Sequence, residues 1–203
     1  MRENLVKRLL REEAILSSLS KLDYLSRSQI QKLHDLSGDR NARRVLANMS
    51  PFISCFRGET GENIYYLNKT GRERTGAEAV RSKTNQVGHF LMRNDAFIHY
   101  AGNEDWKNEV KFSVPNVVTV IADAYFRHNQ RRHFLEVDHL QHMNKNHEKI
   151  DRYRKLYDTG VFQQKMKYFP RLVWVTLTEN RRKQLAEWCA GMDVVIHLWD
   201  EIK

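Results

Sequence analysis

Three carboxylates stand where carboxylates are costly. Asp123 falls inside Val117-Val-Thr-Val-Ile-Ala-Asp-Ala-Tyr-Phe126, near the end of a run otherwise rich in Val, Ile and Ala. Glu136 and Asp138 stand two apart in the next strand-like run, His133 to Val137 and onward. A period of two sends their side chains to the same face of a strand. Bare carboxylates among apolar neighbours are expensive unless a cation accompanies them. Mg²⁺ is suited to that task, because it takes a few carboxylate oxygens and keeps waters for chemistry. Asp123 and Glu136 are therefore the candidate metal ligands, and Asp138 joins them as a candidate catalytic acid. The same residues also fit solvated or ion-paired positions at strand ends in a domain without activity, and both readings stay open.

Other chemistry is less well supported by spacing. His139, His142 and His147 lie close together, with His133 just before them. His-x-x-His can share a helix face and bind zinc, but no Glu follows the first His as in a metalloprotease helix. A solvated segment is the preferred reading. Gly58-Glu-Thr-Gly61-Glu-Asn lacks the lysine of a phosphate-binding loop, so nothing marks an ATPase. Cys55 and Cys189 stand far apart with no Cys-x-x-Cys pair, which argues against a disulfide scaffold or a cysteine zinc site.

The charge balance points to polyanions. Lys plus Arg number 34 against 25 acids, a net charge of +9. Residues 1–84 hold 16 basic and 10 acidic residues, a net of +6, while residues 85–203 hold 18 and 15, a net of +3. A basic chain without a membrane segment is a candidate nucleic-acid binder. The N-terminal sequence Met1-Arg-Glu-Asn-Leu5 carries an early acid and no apolar signal region, so a cytoplasmic location is expected. Hydrophobic residues at 41% and only 9 Gly and 3 Pro exclude collagen-like and largely disordered classes.

The elements that would position these groups divide the chain. Leu5, Leu9, Leu10, Ile15, Leu16 and Leu19 predict a first helix over about residues 3–20. Ser26 or Ser28 can cap a second helix through Leu36, and Asp39 suits the N-cap of a third. In that third helix Ala42, Val45, Leu46 and Met49 form one buried stripe. Arg40, Arg43 and Arg44 take the opposite side, with Asn41 and Asn48 on its flanks. Phe52–Phe56 and Asn63–Leu67 read as two strands joined by Arg57-Gly-Glu-Thr-Gly-Glu62. Three helices and a hairpin are the order of a winged helix-turn-helix, whose third helix enters the major groove of double-stranded DNA. There Arg reads guanine and Asn reads adenine through bidentate hydrogen bonds. Arg40, Asn41, Arg43, Arg44, Asn48 and Arg57 are the expected DNA contacts. Glu59 and Glu62 beside Arg57 make the third helix a better DNA surface than the wing tip. An Arg-rich solvated face or a protein-binding module is the alternative.

Residues 85–203 read as helix, three strands, helix, strand, helix, strand, a mixed sheet with helices on its faces. This order resembles the restriction-endonuclease-like fold, in which an Asp precedes Glu-x-Lys on the neighbouring strand. Asp138 here occupies the place of that lysine, and Lys149 or Lys145 from the following helix can replace it, with Gln141 and Tyr153 nearby. The resemblance implies Mg²⁺ at Asp123 and Glu136, with Lys149 stabilising or activating the attacking water.

Across nearly its whole length the chain resembles the replication-relaxation family of plasmid and mobile-element proteins. The resemblance is carried by Leu22-Asp-Tyr-Leu-Ser-Arg-Ser-Gln-Ile30, Arg40-Asn-Ala-Arg-Arg-Val-Leu46 and Tyr65-Tyr-Leu-Asn-Lys-Thr-Gly-Arg72. It continues in His89-Phe-Leu-Met-Arg-Asn94, Asp123-Ala-Tyr-Phe126, Glu136-Val-Asp138 and Lys149-Ile-Asp-Arg-Tyr153. It implies an α+β chain with a winged helix-turn-helix domain at 1–84 and a restriction-endonuclease-like domain at 85–203. The family implies a DNA-binding accessory protein for replication or relaxation; the carboxylates keep a metal-dependent nuclease or nickase as the alternative, and a transcription regulator is the third, less favoured reading. Replication or relaxase proteins are the expected protein partners, and a homodimer is compatible with each reading.

Overall fold

The computed structural model describes residues 2–100 and 105–203, a mixed α+β chain that falls into two compact units, Met1–Asn94 and Asp95–Lys203. Among the described residues no helix is long and apolar enough to cross a membrane.

The first unit opens with helix α1 (Arg2–Leu22). Its C-terminal half is anchored by Ile15, Leu16, Leu19 and Leu22, all buried, whereas Leu5, Val6, Leu9 and Leu10 are exposed. Strand β1 (Leu25–Ser26) pairs antiparallel with β3 (Asn63–Leu67), and helix α2 (Arg27–Leu33) starts directly from it. Ser26 is the N-cap of α2. Its hydroxyl accepts from the Gln29 N–H, and the Gln29 side chain accepts from the Ser26 N–H, closing a capping box. Helix α2 ends at Leu33, three residues short of the expected Leu36, which is nonetheless buried.

Helix α3 (Asp39–Asn48) buries Ala42, Val45 and Leu46, with Met49 buried at its C-cap. Its N-cap is Gly38 rather than the expected Asp39, which is the first helical residue. The Asp39 carboxylate is drawn away from the helix N–H groups by Arg27 and Arg43, at 2.7 and 2.9 Å. Strands β2 (Ile53–Arg57) and β3 form an antiparallel hairpin running from Ile53↔Leu67 to Arg57↔Asn63. With β1 they make a three-stranded sheet in the order β1-β3-β2. Helix α4 (Lys69–Thr75) comes next, capped by Asn68. Gly71 lets it lie close on β2's entry, because a Cβ there would stand 2.1 Å from the Phe52 carbonyl oxygen.

Helix α5 (Val87–His99) contains the division between the units. Its first residues belong to the first unit for concrete reasons. Phe90 packs on Tyr24 with ring centroids 5.2 Å apart, buried Arg93 pairs with Asp23 at 2.9 Å, and Asn94 donates to the carbonyls of Leu22 and Tyr24. The division therefore falls at 94/95, ten residues beyond the change of pattern in the sequence.

The second unit holds strands β4 (Lys107–Val114), β5 (Val118–His128) and β6 (Arg131–Asp138), then helices α6 (Met143–Asp158) and α7 (Val161–Met166). Strand β7 (Arg171–Thr176), helix α8 (Glu179–Trp188), strand β8 (Val194–Leu198) and helix α9 (Trp199–Ile202) complete it. The sheet order is β4-β5-β6-β7-β8. The β4–β5 and β5–β6 pairs are antiparallel, and β6–β7 and β7–β8 are parallel, as the helical crossovers require. From His133 to Asp138 every residue of β6 is buried, which is the mark of a central strand covered on both faces. A core of Val118, Val120, Phe134, Ile150, Tyr153 and Trp174 joins the sheet to α6.

Candidate functional site

The register of β5 on β6, Ala124↔Leu135, brings Asp123 level with Glu136. Asp123 lies in the middle of β5, not near its end, because the strand continues to His128. The Val137 N–H donates to Asp123 Oδ2 at 2.7 Å, so this side chain takes part in the sheet's own hydrogen bonding. Opposite them, Asn146, Lys149 and Tyr153 recur at i, i+3 and i+7 and share one face of α6. The Lys149 ammonium ion-pairs with Glu136 Oε2 and lies 3.9 Å from Asp123 Oδ2. The Tyr153 hydroxyl donates to Glu136 Oε1 at 2.6 Å. Glu136 is completely buried and the Lys149 side chain is 18% exposed.

The electrostatics of this group favour keeping protons. Burial pushes the Glu136 carboxyl up to about 8, against the pull of Lys149, and the neighbouring Asp123 carboxylate adds to the rise. Burial acts to lower the Lys149 ammonium, but Glu136 and Asp123 outweigh it and the net shift is upward. Burial and the Glu136 carboxylate raise the Tyr153 hydroxyl well above its ordinary value.

Asp138 is engaged elsewhere. It is fully buried, and its carboxylate accepts from Asn146 Nδ2 at 2.8 Å, Thr176 Oγ1 at 2.7 Å, and Arg181 Nε and Nη2 at 2.6 and 2.5 Å. Burial acts to raise its pKa, but the hydrogen bonds from Arg181, Asn146 and Thr176 prevail and hold it below the usual value. Arg181 also donates to the Gln141 carbonyl at 2.5 Å. Asp138 thus ties the start of α6, through Asn146, and the start of α8, through Arg181, to the ends of β6 and β7. Asn146 and Arg181 carry no sequence signal of this role. Lys145 does not join the group: it is 66% exposed and faces Glu148.

Mg²⁺ is the cation that the carboxylates imply, and the donors suit it in kind. Asp123 and Glu136 present hard oxygens that converge on one cationic position, here served by Lys149. Asn146 Oδ1 is a further hard oxygen, buried without a hydrogen-bond partner. Among the described residues no group of three or more His, Cys, Asp or Glu could hold a metal ion. The histidines disperse: His147 stands by Asp151 with its ring edge-on to Trp188, centroids 4.7 Å apart, and His133 stacks on Phe126 with ring centroids 5.0 Å apart.

In the first unit, Arg40, Arg43, Arg44 and Asn48 are exposed on the side of α3 opposite its buried stripe, and Asn41 is half-buried. Arg44 donates to Asn41 Oδ1 at 2.9 Å, and Arg43 pairs with Asp39. Arg57 is exposed at the end of β2. Glu62 is not a loose acid on the hairpin loop, because it accepts from the Ser28 N–H at 2.7 Å and the Ser28 hydroxyl at 3.0 Å.

Fold and site define a mixed α+β protein with a basic exposed helix in one unit and a buried carboxylate–lysine cluster on a central strand of the other. The chain belongs to the replication-relaxation family, whose model matches residues 16–172. No curated protein matches the chain. Among solved structures it is similar to protein VC1899 from Vibrio cholerae, at 14% identity and a TM-score of 0.37, over 97% of this chain and 50% of that one. The chain thus spans about half the length of that protein.

Proposed function

We propose that this chain is a DNA-binding accessory protein for the replication or relaxation of a plasmid or other mobile element. In this reading the first unit is a winged helix-turn-helix and α3 lies in the major groove. The observation that carries it is the division of α3 into a buried apolar side and an exposed side bearing Arg40, Arg43, Arg44 and Asn48. Those residue types supply phosphate contacts and base readout together. A mobility-shift assay on origin DNA tests it. Arg40→Ala combined with Arg44→Ala is expected to weaken binding strongly, and wild-type affinity in that variant sinks the assignment. Helix-turn-helix proteins commonly read two half-sites as dimers. The exposed Leu5, Val6, Leu9 and Leu10 of α1 suit pairing with a second copy of the same helix.

A second reading, a metal-dependent nuclease or nickase in a restriction-endonuclease-like unit, is favoured by one specific observation. Asp123, Glu136 and Lys149 meet at one point although Asp138 stands where a lysine would be expected on the strand. Asp123 and Glu136 would hold Mg²⁺, which when bound supplies Lewis acidity and an acidified water. Lys149 would hold an anionic oxygen of the substrate close to the carboxylates, and Tyr153 keeps Glu136 oriented by its hydrogen bond. Supercoiled plasmid incubated with Mg²⁺ or Mn²⁺ is the test. Nicking by the wild type and none by Lys149→Met supports the reading, and intact plasmid with both metals counts against it.

A further inference from the structure

Three guanidinium groups from three different elements gather in the cleft between α3 and the β2–β3 loop. Arg27 opens α2, Arg43 stands on α3 and Arg57 ends β2, and together they line a concavity of about 300 Å³. Two acids adjoin them, and both have structural duties. Asp39 is shared by Arg27 Nε at 2.7 Å and Arg43 Nη2 at 2.9 Å. Glu62 lies 3.9 Å from Arg27 Nη2, but its carboxylate is committed to the Ser28 N–H and hydroxyl. Arg57 lies across the loop at Gly61, whose positive φ of 79° and missing side chain leave it room, since a Cβ would come within 3.4 Å of Arg57 Nη2. Three positive groups against two acids leave the cleft with net positive charge, and like charges so placed repel unless an anion shares the space. Guanidinium forks match the oxygens of a phosphate in bidentate fashion.

We propose that this cleft seats one phosphodiester of a bound nucleic-acid backbone, with Arg27 as a contact that the α3 surface alone does not include. The inference rests on the DNA-binding reading of the first unit. Arg43 belongs both to the cleft and to the exposed side of α3, so a backbone tracked by Arg40 and Arg44 adjoins the seat. A free phosphate ion shares the chemistry and is the other source to be tested. Asp39 acts as a positioning residue, holding Arg27 and Arg43 side by side.

The experiment measures duplex binding over a range of salt for the full chain and for Arg27→Gln, Arg57→Gln and the Arg40→Ala, Arg44→Ala pair. Loss of one phosphate contact lowers the slope of log affinity against log salt by about 0.9 and weakens binding roughly tenfold near 0.1 M salt. Arg27→Gln and Arg57→Gln are each expected to do this by the same factor on every duplex sequence, because phosphates carry no base information. Arg57 is exposed, so its variant keeps the test valid if Arg27→Gln fails to fold. Wild-type binding with unchanged slope and affinity in the Arg57 variant and in a folded Arg27 variant overturns the seat and leaves the α3 reading intact. No duplex binding by the wild type overturns the α3 reading itself. Inorganic phosphate that binds the wild type and the Arg40, Arg44 variant equally, and displaces no duplex, assigns the cleft to a free ion and overturns the backbone assignment.

Discussion

Replacing Asp138 by Ala is the sharpest test of how the second unit is held together. The carboxylate is fully buried and accepts four hydrogen bonds, two of them from Arg181. Its removal leaves the Asn146 amide and the Thr176 hydroxyl buried without their acceptor, at about 1–3 kcal/mol for each orphaned group. It also breaks an ion pair whose arginine side chain is 23% exposed, so water recovers part of that loss. Breaking a buried pair by deleting one partner costs about 3–5 kcal/mol, and a total loss in that range is expected for Asp138→Ala. Arg181→Met should cost somewhat less, because Asp138 keeps Asn146 and Thr176 and can take up a proton. The double variant should lose clearly less than the two single losses added, since both delete the same contact. All four tryptophans, Trp106, Trp174, Trp188 and Trp199, lie in the second unit, so urea unfolding monitored by tryptophan fluorescence reports on that unit. Unfolding free energies within about 1 kcal/mol of wild type for Asp138→Ala, or strict additivity in the double variant, would refute the anchor.

Four further outcomes are expected from the same contacts and from the two exposed helix faces. Glu136 has its folded pKa raised from 4.5 to about 8, so the native state holds the extra proton and stability is lost as pH rises between those values. The unfolding free energy of wild type minus that of Glu136→Gln should therefore fall from about pH 5 to about pH 8, and a flat difference contradicts it. Lys149→Met removes the ammonium that pulls on Glu136, so Glu136 holds its proton more firmly, and the loss of its hydrogen-bond partner should cost about 1–3 kcal/mol in the same urea assay, whatever the outcome of the nicking test. Arg40→Ala with Arg44→Ala should flatten the salt dependence of duplex binding by about two units if both touch phosphate, and by less if one reads a base. Leu5→Glu with Leu9→Glu, on the exposed half of α1, should keep the wild-type circular dichroism and convert a dimer to a monomer in sedimentation; a wild type that sediments as a monomer removes the α1 pairing.

The features legible in the sequence are those that a local period encodes. The alternation and apolar density of residues 107–138 mark β4 to β6, and the i, i+3, i+4, i+7 stripe marks α3, because each face is written in neighbouring residues. Long-range pairing leaves no such trace. Strand β1 is two residues long and exists only because Leu25 and Ser26 meet Tyr65 and Ile64. The Asp138–Arg181 pair joins positions 43 apart, and nothing around Arg181 distinguishes it from Arg182, which reaches Glu179 and Glu201 on the surface. Short α7 is illegible because six residues carry less than two turns of periodicity, and Phe162 is held by Phe112, Phe134 and Phe169 from elsewhere in the chain. The first residues of α5 share the pattern of the second unit, yet Arg93 and Asn94 are fixed by the turn at Leu22–Tyr24.

Lys149 is legible as a candidate, and the geometry explains how a helix can deliver it. Passing along α6 from Asn146 to Lys149, the partners on β6 step back from Asp138 to Glu136, so helix and strand run in opposite directions here. Three residues of helix advance about 4.5 Å, while two of strand span about 6.6 Å. Asn146 is short and meets Asp138 at 2.8 Å, so the shortfall of roughly 2 Å falls on the next contact, where a long, flexible side chain can absorb it. Lysine meets that requirement, and its ammonium arrives between Glu136 and Asp123. The acid at 138 then has a structural role of its own. It is the fixed point from which α6 is measured, and Arg181 and Thr176 keep its charge tolerable at full burial. If Asp138 were replaced by lysine, Arg181 would face a like charge and Asn146 would lose its acceptor, so a lysine on the strand should misplace Lys149. Asp138→Lys is accordingly expected to unfold the second unit at lower urea than Asp138→Ala, and greater stability than Asp138→Ala would show that the anchor is dispensable.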